Sequence, residues 1–476
     1  MNIDIRFICT SIPQPVDHRS AVALTRNLRF VLAALALTSW SALAGAQVPP
    51  SDAWSTCTVT PAEFDAWFAN GHRAADGKVN PADGLEFRDG DSDCNFHKWA
   101  EQMFLWVTSP TDSGVRVFGS PEFFTVSAPA QDRSRTLTQN VDILVRTSKP
   151  VKQPGEAGDS RVLMARNKSL VYYVTQVNDV YAYFRTGQKT HEIAVDPLKF
   201  PITSDALKKI TDFAGRRGIT FPHPQALAIE VKSAWVEVSG LQTVGLDVSK
   251  YVTITATIPK YKKSDSTWTR LNTSKRAQLA LVGMHVVGSV AGHAEMVWST
   301  FEHIDNAPGA SYTYCKDDPC TPRPPVELQP GRAWLFSADN NCTDLKNKAR
   351  MRATSNGDIE AIPFPDGSTI IEPSDACRLN AWGSRPDDPE APAKNTQVIK
   401  LNSSIMELLG SGDVRKNYML IGTTWGPGLG ARALANTTLE TFVQHQNCSD
   451  CHSGNLHDNP SDNGLSHIYQ WLNPLP

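Results

Sequence analysis

The chain has 476 residues, a formal net charge of -3 and an apolar fraction of 41%. This length supplies a sizeable hydrophobic core, either in more than one domain or in one large domain with insertions. The near-neutral charge argues against a nucleic-acid partner, because binding to a phosphate backbone needs a basic surface.

The N-terminus has the features of an export signal. Arg26 and Arg29 precede the apolar run 30–37, and small residues follow as far as Ala46. This pattern predicts a signal peptide over residues 1–46, and therefore a periplasmic or secreted mature protein. An uncleaved anchor is the alternative, although the apolar run is short for a bilayer of about 30 Å. We expect no membrane span later in the chain, since no other stretch is long and apolar enough.

Cysteine usage agrees with export. Eight cysteines follow residue 46, and two of them form the pair Cys448 and Cys451. An even number of cysteines in an oxidising compartment indicates disulfides. The sequence does not choose among the possible pairings of the other six. We expect sequential pairing, which gives Cys57–Cys94, Cys315–Cys320 and Cys342–Cys377.

The first predicted elements are helical and cover about residues 51–110. Between Phe96 and Val107, apolar residues recur at three- and four-residue spacing, which is the period of a helix buried on one side. Pro110 is predicted to end this helix.

From about residue 115, runs rich in β-branched and aromatic residues predict strands. They cover residues 122–126, 228–238, 251–258, 279–290, 296–304 and 417–424. The runs 279–290 and 296–304 flank a turn at Ala291-Gly292 and are expected to pair. We therefore expect an α+β, β-rich fold with a mainly antiparallel β core, peripheral helices and long loops, over a main domain of residues 47–430. Stretches rich in Pro, Gly and charge predict loops at 148–160, 306–331 and 385–394.

Residues 431–476 are predicted to form a small helical segment at the C-terminus. Thr437 and Glu440 have capping-box spacing, with Thr437 as the N-cap. Leu439, Phe442 and Val443 then form an apolar stripe. This short helix is expected to lead directly into the sequence Cys448-Ser-Asp-Cys-His452.

The pattern Cys-x-x-Cys-His is the attachment signature of c-type haem. Cys448 and Cys451 are spaced to bond the two vinyl groups of one porphyrin, and His452 is then the expected proximal iron ligand. We therefore expect one covalent haem c. Three other interpretations stay open: a redox-active dithiol, a plain disulfide, and a zinc site completed by two of His452, His457 and His467.

The sixth iron ligand is not fixed by the sequence. No methionine follows His452, which excludes the usual small-cytochrome arrangement with a downstream Met. His467 is a better spaced distal candidate than His457, and the main domain adds Met296, Met419, His285 and His293. A filled sixth position favours electron transfer, whereas five-coordinate iron allows small-ligand or peroxide chemistry.

A second group of potential ligands occurs in the predicted strand pair: His285, His293, Glu295, Glu302 and His303. Imidazole and carboxylate groups bind divalent metals, and ordinary structural roles are the alternative. Because neighbouring residues on a strand point to opposite faces, Glu302 and His303 are not expected to share a site.

Several segments resemble bacterial exported proteins loosely called cytochrome c family proteins. They are residues 99–110, 293–308, 434–442 and the Leu-Ser-His-Ile segment at 465–468. The resemblance covers most of the mature chain and implies haem at Cys448, Cys451 and His452. It implies no substrate.

The leading hypothesis is a periplasmic single-haem c-type cytochrome that transfers one electron to or from another exported redox protein. A haem oxidase or peroxidase with an open distal position is the second hypothesis. The third is a non-redox binding protein in which Cys448 and Cys451 form a disulfide.

Overall fold

The structure is a computed structural model that describes residues 49–82, 87, 93–140, 161–196, 199–326, 333–337, 351–363, 367–425, 429–430, 433–444, 466 and 468–476. All of them lie within one compact unit, Ala44–Pro476. The predicted signal peptide, residues 1–46, lies outside the described residues. Within the described ranges, no helix combines the length and apolar character needed to cross a membrane.

Two helices precede the sheet. Helix α1 is Pro61–Trp67, which begins with a capping box between Thr60 and Glu63. Helix α2 is Asp93–Val107, which confirms the predicted helix and its end before Pro110. Its buried positions include Trp99 and Phe104, as the apolar spacing predicts.

Three further helices, which the sequence analysis did not locate, are α3 (Asp179–Lys189), α4 (Ser204–Arg216) and α5 (Ala391–Leu409). Asn178 and Thr203 cap α3 and α4 through their side chains. The predicted loop at 385–394 is wrong for its last four residues, because α5 already begins at Ala391. Pro392 lies in the first turn of α5, where the missing N–H of proline costs no helical hydrogen bond.

The described strands form one antiparallel sheet, which confirms the β-rich α+β fold. They are β1 (Phe123–Val126), β2 (Leu137–Gln139), β3 (Tyr172–Asn178), β4 (Ile229–Glu237), β5 (Thr253–Lys263), β6 (Thr267–Val290), β7 (His293–His303), β8 (Met351–Ala353), β9 (Ile359–Ala361), β10 (Tyr418–Trp425) and β11 (Leu429–Gly430). The main order is β11-β10-β7-β6-β4-β3-β1-β2, with β5 and β9 also pairing with β6. Each of the six predicted runs overlaps one of these strands.

The hairpin of β6 and β7 lies at the centre of the sheet. Val290 pairs with His293 across the turn, and Gly292 there has a φ of 76°, a conformation that glycine adopts without steric cost. The predicted pairing about Ala291-Gly292 is therefore confirmed.

Helices α2 and α5 belong to the main core on the back face of the sheet. Phe301 of β7 stacks on Phe104 of α2 with ring centroids 4.2 Å apart. Met284 and Val286 of β6 and Ile399 of α5 are buried in the same apolar cluster.

The front face of the sheet presents Glu230, Lys232, His285, Thr300 and Glu302. Lys232 pairs with His285, and His285 pairs with Thr300, so these cross-strand neighbours lie on one face. Two apolar clusters cover this face, one around Tyr181 and Trp298 and the other around Tyr173 and Val282. The first includes Ile468 and the second Leu439, so both described parts of the C-terminal region pack on the front face.

Two of the predicted disulfides are confirmed. Cys57 is bonded to Cys94, and Cys315 is bonded to Cys320. Cys377 is also disulfide-bonded, and its predicted partner, Cys342, lies outside the described residues.

Candidate functional site: the front face beside the Cys-x-x-Cys-His sequence

The predicted haem-binding residues Cys448, Cys451 and His452 lie outside the described residues, as do the candidate distal ligands His457 and His467. The structure does describe residues 433–444 before this sequence, and Ser466 and 468–476 after it. The site is therefore built from the contacts of these flanking residues.

The predicted capping box at Thr437 is wrong, and the short helix after it is not confirmed. Residues 433–444 form successive turns. The backbone N and Oγ1 of Thr437 both donate to the Glu302 carboxylate, at 2.6 Å each. The Glu302 carboxylate thus orients the Thr437 hydroxyl, while the backbone N–H of Glu440, which the predicted cap would bind, donates to the carbonyl of Asn436 at 2.9 Å. Asn436 caps the turn instead, since its Oδ1 accepts from the backbone N of Thr438 at 2.8 Å.

The carboxylate that binds Thr437 is itself part of a buried ion pair. Arg378 Nη2 donates to Glu302 Oε2 at 2.8 Å, and both side chains are fully buried. Burying two charges is costly unless they are paired and hydrogen-bonded. The hydrogen bonds from Thr437 supply the further partners that the Glu302 carboxylate needs.

The turn at Asn436 packs directly on the sheet backbone. Asn436 Nδ2 donates to Thr300 Oγ1 at 2.9 Å and to the carbonyl of Phe301 at 2.8 Å. A Cβ atom on Gly283 would overlap Thr438 Oγ1 and would lie 2.8 Å from Asn436 Oδ1. The glycine at position 283 is therefore what permits this close approach.

Glu440 holds the next part of the segment against the front face. Its Oε1 lies 2.6 Å from His285 Nε2, and its Oε2 accepts from the backbone N of Asn436 at 2.9 Å. Burial raises the pKa of the Glu440 carboxyl, but the interactions with His285 and the nearby Lys232 outweigh burial and lower that pKa. Glu440 is therefore ionised at neutral pH and is held in place by charge as well as by geometry.

Gln444, four residues before Cys448, is fixed by the loop that follows Cys377. Its Nε2 donates to the carbonyl of Cys377 at 2.8 Å, and its Oε1 accepts from the backbone N of Leu379 at 3.0 Å. Asn380 Nδ2 donates to the Gln444 carbonyl at 3.1 Å. The described chain before the Cys-x-x-Cys-His sequence is thus hydrogen-bonded at Thr437, Glu440 and Gln444.

Ser466 provides the corresponding anchor after the sequence. Its Oγ donates to Glu230 Oε2 at 2.6 Å and lies 2.8 Å from the Tyr181 hydroxyl. Burial, followed by the Glu230 charge, raises the pKa of Tyr181 well above its usual value. The Tyr181 hydroxyl therefore stays protonated and available as the donor to Ser466.

Residues 468–476 extend this anchor along α3. Arg185 lies over the ring of Tyr469, 4.5 Å from its centroid, and donates to the carbonyl of Gln470 at 2.9 Å. The backbone N of Leu475 donates to Thr186 Oγ1 at 3.0 Å. Ser466 is therefore followed by a firmly docked C-terminus.

The two anchors lie close together on the sheet. Glu440 binds His285 of β6, and Ser466 binds Glu230 of β4. These two strands are neighbours in the sheet. His285 is paired with Lys232, which lies two residues after Glu230 on β4. Strand spacing and rise per residue place the Cα atoms of Glu230 and His285 about 8 Å apart. Glu440 and Ser466 are thus both held at one small area of the front face.

The second group of potential metal ligands is dispersed by the fold. His285 binds Glu440, Glu302 binds Arg378, and His303 stacks on Tyr251 with centroids 3.7 Å apart. Glu302 and His303 do point to opposite sides, as predicted. In the described part of the chain, no three His, Cys, Asp or Glu side chains are placed to hold a metal ion.

The candidate distal ligands of the main domain are buried in apolar clusters or hydrogen-bonded to other protein groups. Met296 and Met419 are fully buried within apolar clusters. His293 Nδ1 is 2.7 Å from the carbonyl of Glu295. His285 is the candidate that forms part of the first anchor, through its contact with Glu440.

Arg378, Glu230 and Tyr181, which hold the flanking segments, are not identifiable as site residues from the sequence. Arg378 is 76 residues from Glu302, and Glu230 is 236 residues from Ser466. No local pattern predicts such pairs, because each forms only when the sheet brings distant strands and loops together.

Comparisons with known protein families, with curated proteins and with solved structures found no match to this chain.

Proposed function

We propose that the protein is an exported, single-haem c-type cytochrome that transfers one electron to or from another exported redox protein. Cys448 and Cys451 would form the thioether bonds, and His452 would be the proximal ligand. The proposal depends on the spacing of these three residues in the sequence. The disulfides Cys57–Cys94 and Cys315–Cys320 support a periplasmic or secreted location.

The described residues fit a group attached to this part of the chain. A segment of fewer than 50 residues rarely sustains a core of its own, so an attached haem needs support from the main domain. The observation that favours the proposal is the pair of anchors, Glu440 on His285 and Ser466 on Glu230. They hold both flanks of the Cys-x-x-Cys-His sequence on the front face.

In this proposal, side chains of the front face would lie around the macrocycle. Tyr181, Trp298, Ile468 and Tyr469 belong to one apolar cluster at the second anchor. Their role would be to exclude water and orient the group, while His285 and Lys232 would supply polar groups beside them. When bound, the haem iron would supply reversible one-electron chemistry, with a potential set by its ligands and by burial.

A haem assay tests the proposal directly. The mature chain, produced in a periplasm with a haem-maturation system, is expected to give a pyridine haemochrome spectrum and a mass increased by one haem. The double variant Cys448→Ala/Cys451→Ala should lose both signals. The matched control Cys315→Ala/Cys320→Ala also removes two cysteines and should keep them.

Native mature protein with a Cys448–Cys451 disulfide and no added mass would refute the proposal. That result would favour the non-redox binding protein.

Ligand binding separates the electron carrier from a haem enzyme. A filled sixth position predicts a low-spin spectrum that cyanide or carbon monoxide changes slowly, whereas rapid binding would favour an oxidase or peroxidase. If His467 is the distal ligand, His467→Ala should shift the low-spin spectrum; an unchanged spectrum rejects that assignment.

A further inference from the structure

A cavity of about 110 Å³ lies between the N-terminal end of α5 and the segment 311–325. It is far in sequence from the Cys-x-x-Cys-His residues. Its walls include Tyr312, Leu379, Ser384 and Asn395. One buried water needs roughly 10–15 Å³ of cavity volume. The volume of this cavity is several times larger, so it has room for a small organic molecule.

Two of the residues that line the cavity each have a buried side-chain oxygen with no hydrogen-bond partner in the described part of the chain. These oxygens are Asn395 Oδ1 and Ser384 Oγ, and their residues are only 2% and 7% exposed. Buried polar groups are normally satisfied, and each exception calls for an explanation. Two such atoms on one cavity point to a molecule that binds there.

The orientation of the Asn395 amide is fixed by a separate contact. Its Nδ2 donates to the carbonyl of Thr313 at 3.0 Å, and a flipped amide would lose this bond. The free atom at position 395 is therefore an acceptor. The hydroxyl of Ser384 can donate one hydrogen bond and accept others.

The lining also determines the charge and shape of the occupant. Among the described residues that line this cavity, none has a charged side chain. Burial raises the pKa of Tyr312, which keeps the phenol neutral. Pro325, Leu379 and Ala381 add apolar surface, so a charged ligand would be desolvated with no opposite charge beside it.

We infer that this cavity binds a small uncharged molecule with an amide or hydroxyl group on an apolar body. A donor of the ligand would bind Asn395 Oδ1, and an acceptor would bind the Ser384 hydroxyl. The inference is independent of the proposed haem, since the cavity residues and the haem-binding residues do not overlap.

Benzamide and benzoate are suitable probes, because they have nearly the same shape and differ in charge. The full mature protein is expected to bind benzamide saturably, at millimolar concentration for a ligand of this size, with a rise in Tm. Benzoate should bind at least tenfold more weakly. Calorimetry and thermal unfolding measure both effects.

Ser384→Ala distinguishes a ligand site from a packing defect. Removing an unsatisfied buried hydroxyl should leave the ligand-free protein as stable as wild type or more so, while benzamide affinity falls about tenfold. Ser337 is the matched control, because its buried Oγ also lacks a partner but lies outside the cavity lining. Ser337→Ala should raise the Tm similarly and leave benzamide affinity unchanged.

Three results would overturn the inference: no saturable benzamide binding, which means water only; equal binding of benzoate; or unchanged benzamide affinity in Ser384→Ala.

Discussion

Removing one partner of the buried pair Glu302–Arg378 is expected to destabilise the front face strongly. The change Glu302→Gln keeps the shape of the side chain but removes the charge that Arg378 needs. The Glu302 carboxylate accepts from Arg378 Nη2 and from the N and Oγ1 of Thr437. An amide cannot accept at both of its terminal atoms, so one donor also loses its partner.

Breaking a fully buried ion pair costs about 3–5 kcal/mol, because one charge is left uncompensated. Both side chains are 0% exposed, so solvent screening does not reduce this figure. Since folded proteins are stable by only about 5–15 kcal/mol, the loss is a large fraction of the total. Urea unfolding followed by tryptophan fluorescence measures it as a lower midpoint.

An exposed ion pair and a double variant are the controls. Lys208 and Asp212 form a pair that is 71% and 53% exposed, and Asp212→Asn should cost less than about 1 kcal/mol. Glu302→Leu combined with Arg378→Met removes both charges and should recover much of the stability lost in the single variant. A cost of Glu302→Gln no larger than that of Asp212→Asn would contradict a strongly coupled buried pair, as would a double variant no more stable than Glu302→Gln.

Two further predictions concern Gly283 and Glu101. Gly283→Ala should destabilise the protein by about 1–3 kcal/mol in urea unfolding, because the new Cβ overlaps Thr438. Gly215→Ala is the control and should be neutral or stabilising, since nothing lies within 4 Å of a Cβ at that position. Equal effects of the two variants would contradict the close packing at position 283. Burial raises the pKa of Glu101 from 4.5 to about 8, so the folded protein keeps a proton that the unfolded chain releases. Stability from this group is therefore lost as pH rises from about 4.5 to 8, by at most about 1.4 kcal/mol per pH unit. Glu101→Gln should match wild type near pH 4.5 and exceed its stability at pH 8 in thermal unfolding; an equal difference at both pH values would count against a buried neutral carboxyl.

Local patterns predicted the elements that have a clear hydrophobic period. Helix α2 and the β6–β7 hairpin were predicted because their periods of about 3.6 and 2 appear directly in the residue order. Helix α5 was mistaken for loop at its start, since Pro392 near a polar stretch indicates a loop as readily as a first helical turn. The capping box at Thr437 failed for a different reason: a tertiary partner, Glu302, binds the side chain that would have capped the helix.

The sequence by itself determined the β-rich class and the chemical identity of the Cys-x-x-Cys-His residues. It left the disulfide pairing open, and the structure decided the pairs Cys57–Cys94 and Cys315–Cys320. Only the tertiary structure decided that Glu440 and Ser466 bind neighbouring strands, and that Ser384 and Asn395 line one cavity. The physical reason for this difference is how far apart in the sequence the interacting residues lie. Hydrophobic period and short cysteine spacing are properties of adjacent residues, whereas a hydrogen bond across 155 or 236 residues depends on the position of every element between them.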